Sequence, residues 1–232
     1  MTNELLLILS IVIIYGSVLL FYKLFKTAGL FCWMAFATVV ANIEVVILVD
    51  AFGIEQTLGN VLFASTFVVT DILSETVGKK QSTKAVWLGF SVSAVFILLS
   101  QIWTFFIPSA NDFAHPSIVT IFKNTPRLMA ASLAVFAISQ LFDVFLYHAI
   151  WKKTTAITGD SKKLLWVRNN AATLLSQLLN AICYNLLAFG GIYGSKTLVS
   201  IIIGSFAIAV VTSLCDTPVI YIARRIYQNE NK

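Results

Sequence analysis

The sequence predicts an all-α fold, a polytopic membrane bundle of seven transmembrane helices, on three observations. Apolar residues make up 58% of the chain and charged ones only 12%, against about a quarter charged in a soluble domain. Mean hydropathy is +0.86. The apolar residues gather into stretches near 5–22, 30–49, 60–77, 85–107, 127–150, 170–192 and 197–223, each at or close to the ~20 residues that span a bilayer as a helix. No segment between them is long enough for a soluble domain, so the backbone must satisfy its hydrogen bonds helically within the membrane.

The placement of charge sets the expected orientation. Seven spans with the N-terminus outside put 13 of the 16 Lys and Arg on one side, leaving Lys123, Arg127 and Lys196 on the other. By the positive-inside rule the rich side, with Arg224, Arg225 and Lys232, is cytoplasmic. The net charge of +5 therefore reflects topology, not a nucleic-acid partner. Trp33, Trp87, Trp103, Trp151 and Trp166 fall near span ends, where an amphipathic ring prefers to lie.

The first span follows Glu4, lacks a basic leader and cleavage pattern, and reads as retained. The second carries Asn42 and Glu44 in its outer half, with a small-xxx-small pair at Ala37 and Ala41. On the third, Asp71 and Glu75 are four residues apart and share a face. Ser65, Thr66 and Thr70 make this helix polar elsewhere, so it cannot face lipid all round. Glu75 lies close to Gly78 and Lys79, wetted from inside or paired with a nearby Lys.

The fourth span is followed by the longest polar stretch, residues 108–124, expected as a connecting loop with room for a short surface helix. The fifth begins with Thr125 as an N-cap hydroxyl and Pro126 at the first helical position. Arg127 then sits at the outer mouth, paired with Glu44 or snorkelling to headgroups. Gln140 and Asp143, with Ser132 and Ser139, form a polar stripe. The sixth has the clearest one: Asn169, Thr173, Gln177, Asn180 and Tyr184 at spacings of three and four. In lipid such a face looks into the bundle. The last span holds Asp216, Thr217 and Pro218; the proline frees a carbonyl near Leu214, offering a hinge or a cation contact. Asp216 itself is a candidate partner for a basic side chain at the inner rim.

Each carboxylate near a bilayer centre costs roughly 2.5–3.5 kcal/mol on insertion scales. Several together require a hydrated cavity, a partner or a ligand. Other chemistries are disfavoured. No P-loop occurs, and His115 and His148 form no constellation with a nucleophile, so no catalytic residue and no cofactor are expected. Cys32, Cys183 and Cys215 lie in predicted helices as small buried residues without metal-ligand spacing.

The string Thr66-Phe-Val-Val-Thr-Asp71-Ile-Leu-Ser-Glu75-Thr-Val-Gly78-Lys-Lys80 resembles the signature of the queuosine precursor transporters, also called the vitamin uptake transporter family. Asn42, Pro126-Arg127 with Ala131-Ser132-Leu133, Gln140 with Asp143, Leu165-Trp166-Val167-Arg168, Gln177 and Asp216-Thr217-Pro218 match in order. The resemblance covers residue 30 to the end. It implies a bacterial inner-membrane importer of deazaguanine queuosine precursors or queuine, facilitated or ion-coupled. The alternative is a substrate-capture subunit of an energy-coupling-factor-type vitamin transporter. Expected substrate-binding residues are Asn42, Glu44, Asp71, Arg127, Gln140, Asp143, Gln177 and Asn180, with Phe67, Phe142 and Tyr184 as rings. Glu75, Asp216 and Pro218 are expected to couple or gate. Two features depart from the pattern: some members carry aspartate in place of Asn180, and residues 1–29 precede the commonest six-helix core, here 30–232, as an accessory span. The expected partners are a small molecule and the lipid bilayer, and self-association into a homo-oligomer is compatible with this reading.

Overall fold

The computed structural model describes residues 2–123 and 126–230. Thr125 and Lys232, expected as a helix cap and an inner charge, lie outside the described residues. Helix α1 runs Asn3–Glu44, followed by strands β1 (Leu48–Ala51) and β2 (Ile54–Thr57), α2 (Gly59–Thr76) and α3 (Lys79–Trp103). Then come α4 (His115–Lys123), α5 (Pro126–Thr158), α6 (Leu165–Phe189) and α7 (Ser195–Glu230). Five of these, α1, α3, α5, α6 and α7, are long and apolar enough to cross a membrane.

The first two expected spans both lie in α1. A straight helix of 42 residues would be ~63 Å long, about twice the hydrocarbon thickness, and α1 is not straight. Lys26 takes φ 54° and ψ −135°, a non-helical break. The Phe21 and Trp33 rings then stand 5.6 Å apart, where an unbroken helix would separate them by ~18 Å of rise. The chain therefore doubles back at Lys26, and each half is a span.

The second half of α1 stops at Glu44, five residues before its expected end, because residues 48–57 form an antiparallel hairpin with Leu48 opposite Thr57 and Ala51 opposite Ile54. Its two-residue turn has positive φ at Phe52 (53°) and Gly53 (73°), the backbone of a type I′ turn. The start of α1 clasps it: Asn3 Nδ2 donates to the Asp50 carbonyl at 2.8 Å, and the Phe52 N–H donates to Glu4 Oε1 at 3.2 Å. The expected connecting loop also contains structure. Asp112 Oδ1 accepts the N–H groups of Ala114 (2.7 Å) and His115 (3.0 Å) at the start of α4. Those two donors, His115 first, hold the Asp112 carboxyl below its ordinary value. Phe122 seats α4 between the Phe96 and Trp103 rings of α3.

Helix α2 is the axis of the bundle. Every residue from Ala64 to Ser74 is buried, and α2 packs against α1, α3, α5 and α7. At 18 residues it is ~27 Å long. It tolerates its hydroxyls and carboxylates because protein, not lipid, surrounds it. The polarity of the molecule is inverted relative to a soluble fold: Leu98, Ile203 and Leu214 are exposed, while Thr70, Gln140 and Asn169 are buried.

Small residues permit the close crossings. A Cβ on Gly59 would lie 2.9 Å from the Ala41 carbonyl oxygen, so α2 begins in backbone contact with the end of α1. Ala37 and Ala41 are buried inside the bundle. Two minor expectations change. Trp33 is buried and donates to Ser65 Oγ at 2.9 Å rather than lying at an interface. Cys32 is exposed, with Cys183 and Cys215 half-buried.

Candidate functional site

Four helices send polar groups to the bundle centre. Asp71 on α2, Asp143 on α5 and Asp216 on α7 are all fully buried. Thr173 on α6 donates to Asp71 Oδ2 at 3.2 Å, and Ser176 on α6 donates to Asp143 Oδ1 at 2.6 Å. The carboxyls of Asp71 and Asp143 face one another, and Asp216 lies within electrostatic reach of both. One oxygen of Asp71, one of Asp143 and both of Asp216 have no hydrogen-bond partner among the described residues.

Beside this centre, Gln140 bridges α5 to α2: its Nε2 donates to Thr66 Oγ1, and its Oε1 accepts from Thr70 Oγ1 at 3.3 Å. Toward the hairpin end are two small cavities that share Asn60, Phe63 and Asn180. One, of about 20 Å³, adds Gln177, Ser205 and Thr212. The other, of about 40 Å³, adds Ser132 and Tyr184. Each is water-sized, since a water occupies about 30 Å³ in the liquid. The expected polar groups meet, but the space between them in this conformation is too small for a bicyclic base.

At the opposite, basic end the helices are tied shut. Glu75 accepts from Arg168 Nη2 at 2.6 and 2.9 Å, from Arg168 Nε at 3.2 Å and from the Tyr147 hydroxyl at 3.0 Å. Arg224 Nε lies 3.3 Å from its other oxygen. One carboxylate thus joins α2, α5, α6 and α7. Arg168 is fully buried and its guanidinium lies 4.3 Å from the centroid of the Trp151 ring, a desolvated cation–π contact. The partners of Glu75 are arginines from distant helices, where a nearby lysine was the alternative read from sequence.

The remaining candidates separate from the centre. Asn42 Nδ2 binds Ser93 Oγ on α3 at 2.8 Å and the Thr38 carbonyl at 2.7 Å. Glu44 ends α1 at the hairpin end, half-buried. Arg127 is not paired with Glu44: its Nε donates to the Leu187 carbonyl at 2.9 Å and its Nη2 to that of Gly190 at 2.7 Å, closing the C-terminal end of α6. Pro218 and Leu214 are exposed on α7, which continues through the proline, so the carbonyl the proline frees faces away from Asp216. Phe67 is buried with its ring edge-on to Phe63, while Tyr184 lines the larger cavity. Asn60, Tyr147 and Arg224 are not site residues in the sequence reading, and Arg168 enters it only within the Leu165-Trp166-Val167-Arg168 run of the family resemblance. A lone acid near the basic end, and Tyr147 with Trp151 one turn apart, are the sequence signals for this cluster beside that run.

A membrane-embedded bundle whose interior is lined with carboxylates, amides and hydroxyls from separate helices belongs to the class of polytopic proteins that handle polar solutes. Residues 57–223 match the family described as "putative vitamin uptake transporter". A relative from Bacillus subtilis (strain 168), named "probable queuosine precursor transporter", is 39% identical over 215 residues, 93% of this chain and 92% of that protein. The chain belongs to the vitamin uptake transporter family. No solved structure matches it significantly.

Proposed function

We propose that this chain imports queuosine precursors, deazaguanine bases or queuine, across the bacterial inner membrane. The name carried by the Bacillus relative supports the substrate class. The observation that carries the reading is the facing pair Asp71 and Asp143, fully buried, each with an oxygen that no described residue satisfies. A guanine-like base presents adjacent N–H donors that such a carboxylate accepts, and acceptors that suit amide groups. Asp71 reads the base edge, Asp143 supports it, and Gln177 and Asn180 meet the opposite edge. Gln140 fixes Thr66 and Thr70 beside them, and Tyr184 with Phe63 offers ring faces. Asn42 and Glu44 shape the mouth, and Arg127 acts there through the α6 terminus it holds.

Glu75 gates the basic end, with Pro218 as a hinge in α7. On this reading the N-terminus and the hairpin end face outside, the C-terminus is cytoplasmic, and the structure is closed around a water-sized centre. The substrate leaves chemically unchanged, so the chain is no enzyme. The break at Lys26 supports dividing an accessory span, 1–29, from a core, 30–232. No observation favours the substrate-capture alternative, because Ala37 and Ala41 are inside the bundle and unavailable for docking.

The test is uptake of labelled deazaguanine by a host that lacks its own importer and any energy-coupling-factor module. Uptake that depends on this chain supports the reading. Its absence, with the protein in the membrane, refutes it.

A further inference from the structure

Asp216 differs from the other two central acids in receiving no hydrogen bond from α6 among the described residues; the Tyr15 hydroxyl of α1 lies within interaction reach of it. Both its oxygens are unpartnered among the described residues and its side chain is fully buried. Among the described residues, the elements packed against α7 bring no free cation to it. From α1 comes Tyr15, whose hydroxyl donates to the Thr212 carbonyl at 3.4 Å. From α2 comes Asp71, and from α5, across the centre, Asp143. From α6 comes Asn169, which binds Thr217 Oγ1 at 3.1 Å and leaves its own Oδ1 unpartnered. Arg168 on α6 and Arg224 on α7 are engaged by Glu75. Ser213, three residues before Asp216 and so on the same face, has a buried, unpartnered Oγ. A buried carboxylate that no cation faces calls for one to neutralise it.

A proton is the cation that asks least of this geometry. Among the described residues no group of three His, Cys, Asp or Glu side chains is arranged to hold a metal ion. A proton needs only one oxygen. Thr212, one turn before Asp216, lines the smaller cavity on the hairpin side. On the other side Thr217 binds Asn169 and Asn170 of α6, next to Arg168. Asp216 thus stands between the cavity and the Glu75 gate.

We propose that Asp216 carries a proton that is co-transported with the substrate. This rests on the importer reading above. A proton from the outer water enters through the cavity and forms an O–H bond on the Asp216 carboxylate. When the basic end opens, that bond breaks and the proton passes to water on the inner side. Nothing is oxidised or reduced, and no bond of the substrate changes. A protonated Asp216 removes one negative charge from the three-carboxylate centre, so the loaded carrier reorients with its interior charge reduced.

The experiment uses the full chain in proteoliposomes with a labelled nitrile-bearing deazaguanine as probe. With the outside one pH unit more acidic, accumulation should rise up to about tenfold over equal pH, the limit for one proton per neutral substrate. A sodium gradient at equal pH should give no rise. Asp216→Asn should lose pH-driven accumulation while keeping exchange of labelled for unlabelled probe. An entrapped pH dye in wild-type vesicles should report acidification when probe is added, whether or not the variant folds. Exchange without any effect of the pH gradient or acidification would overturn proton coupling and leave the importer reading standing. So would accumulation driven by sodium. Undiminished pH-driven accumulation in Asp216→Asn would overturn the assignment to this residue. No exchange in the wild type would overturn both readings.

Discussion

The Glu75 carboxylate and the Arg168 guanidinium meet at 2.6 and 2.9 Å across 93 residues of sequence, with the arginine fully buried. Two ions desolvated together gain little net stability over apolar packing, but removing one strands the other at a cost of about 3–5 kcal/mol. A bond of that kind suits a gate: it is firm while intact and costly to leave half-made.

Glu75→Gln and Arg168→Gln should therefore each lower the thermal midpoint in detergent, Glu75→Gln by roughly the cost of an uncompensated ion, and each should cut uptake by tenfold or more. The double variant should recover part of the stability that either single variant loses. A double-mutant cycle of unfolding measurements checks this, and strict additivity would show that the two side chains do not act as a pair.

Asp71→Asn and Asp143→Asn should each reduce uptake by about tenfold at unchanged protein level. Thr173→Val and Ser176→Ala, which remove one supporting hydrogen bond apiece, should cost about 0.5–1.5 kcal/mol, a few-fold in apparent affinity. Binding of labelled probe to purified protein separates the two classes. Wild-type affinity in both aspartate variants would exclude them from the substrate site.

Arg127 holds two carbonyls at the end of α6, so Arg127→Ala should destabilise that terminus by about 1–2 kcal/mol. Binding of probe by the folded fraction should stay within a few-fold of wild type. A large loss of affinity without a loss of stability would mean that Arg127 touches the substrate directly.

Gly59→Val should push α2 from α1, because its Cβ would fall 2.9 Å from the Ala41 oxygen; overpacking of this kind costs about 1–3 kcal/mol. Gly16→Ala, with nothing within 4 Å of the new carbon, is the control and should unfold as the wild type does. Equal melting of the two variants would contradict the close crossing.

For orientation, a cysteine-free background carrying Ser109→Cys should react with an impermeant maleimide added to intact cells. The same background carrying Ser161→Cys should react only after lysis. The reverse pattern would invert the topology and the direction assigned to the Glu75 gate.

Much of the candidate site was legible because charge and amide groups are scarce in an apolar chain, so Asp71, Asp143, Gln177 and Asn180 stand out. Arg168 did not, because a basic residue at the start of a span is what the positive-inside rule already accounts for. Arg127 was legible at the outer mouth, with Glu44 or lipid headgroups as its alternatives, and Glu44 is not its partner. A reading along one helix sees which face is polar, but not that the carbonyls of Leu187 and Gly190 lie within reach. The hairpin at 48–57 was hidden because Leu48 and Val49 extend the apolar run of the helix before it.

Composition and charge distribution by themselves determined that this chain is a polytopic helical bundle with acids in its interior, because the bilayer allows few other ways to bury its backbone. Only the tertiary structure decided that α1 doubles back at Lys26, that α2 is the enclosed axis, and that Glu75 finds its cations on α6 and α7. Those outcomes depend on contacts between residues tens of positions apart, which hydropathy and spacing along the chain do not encode.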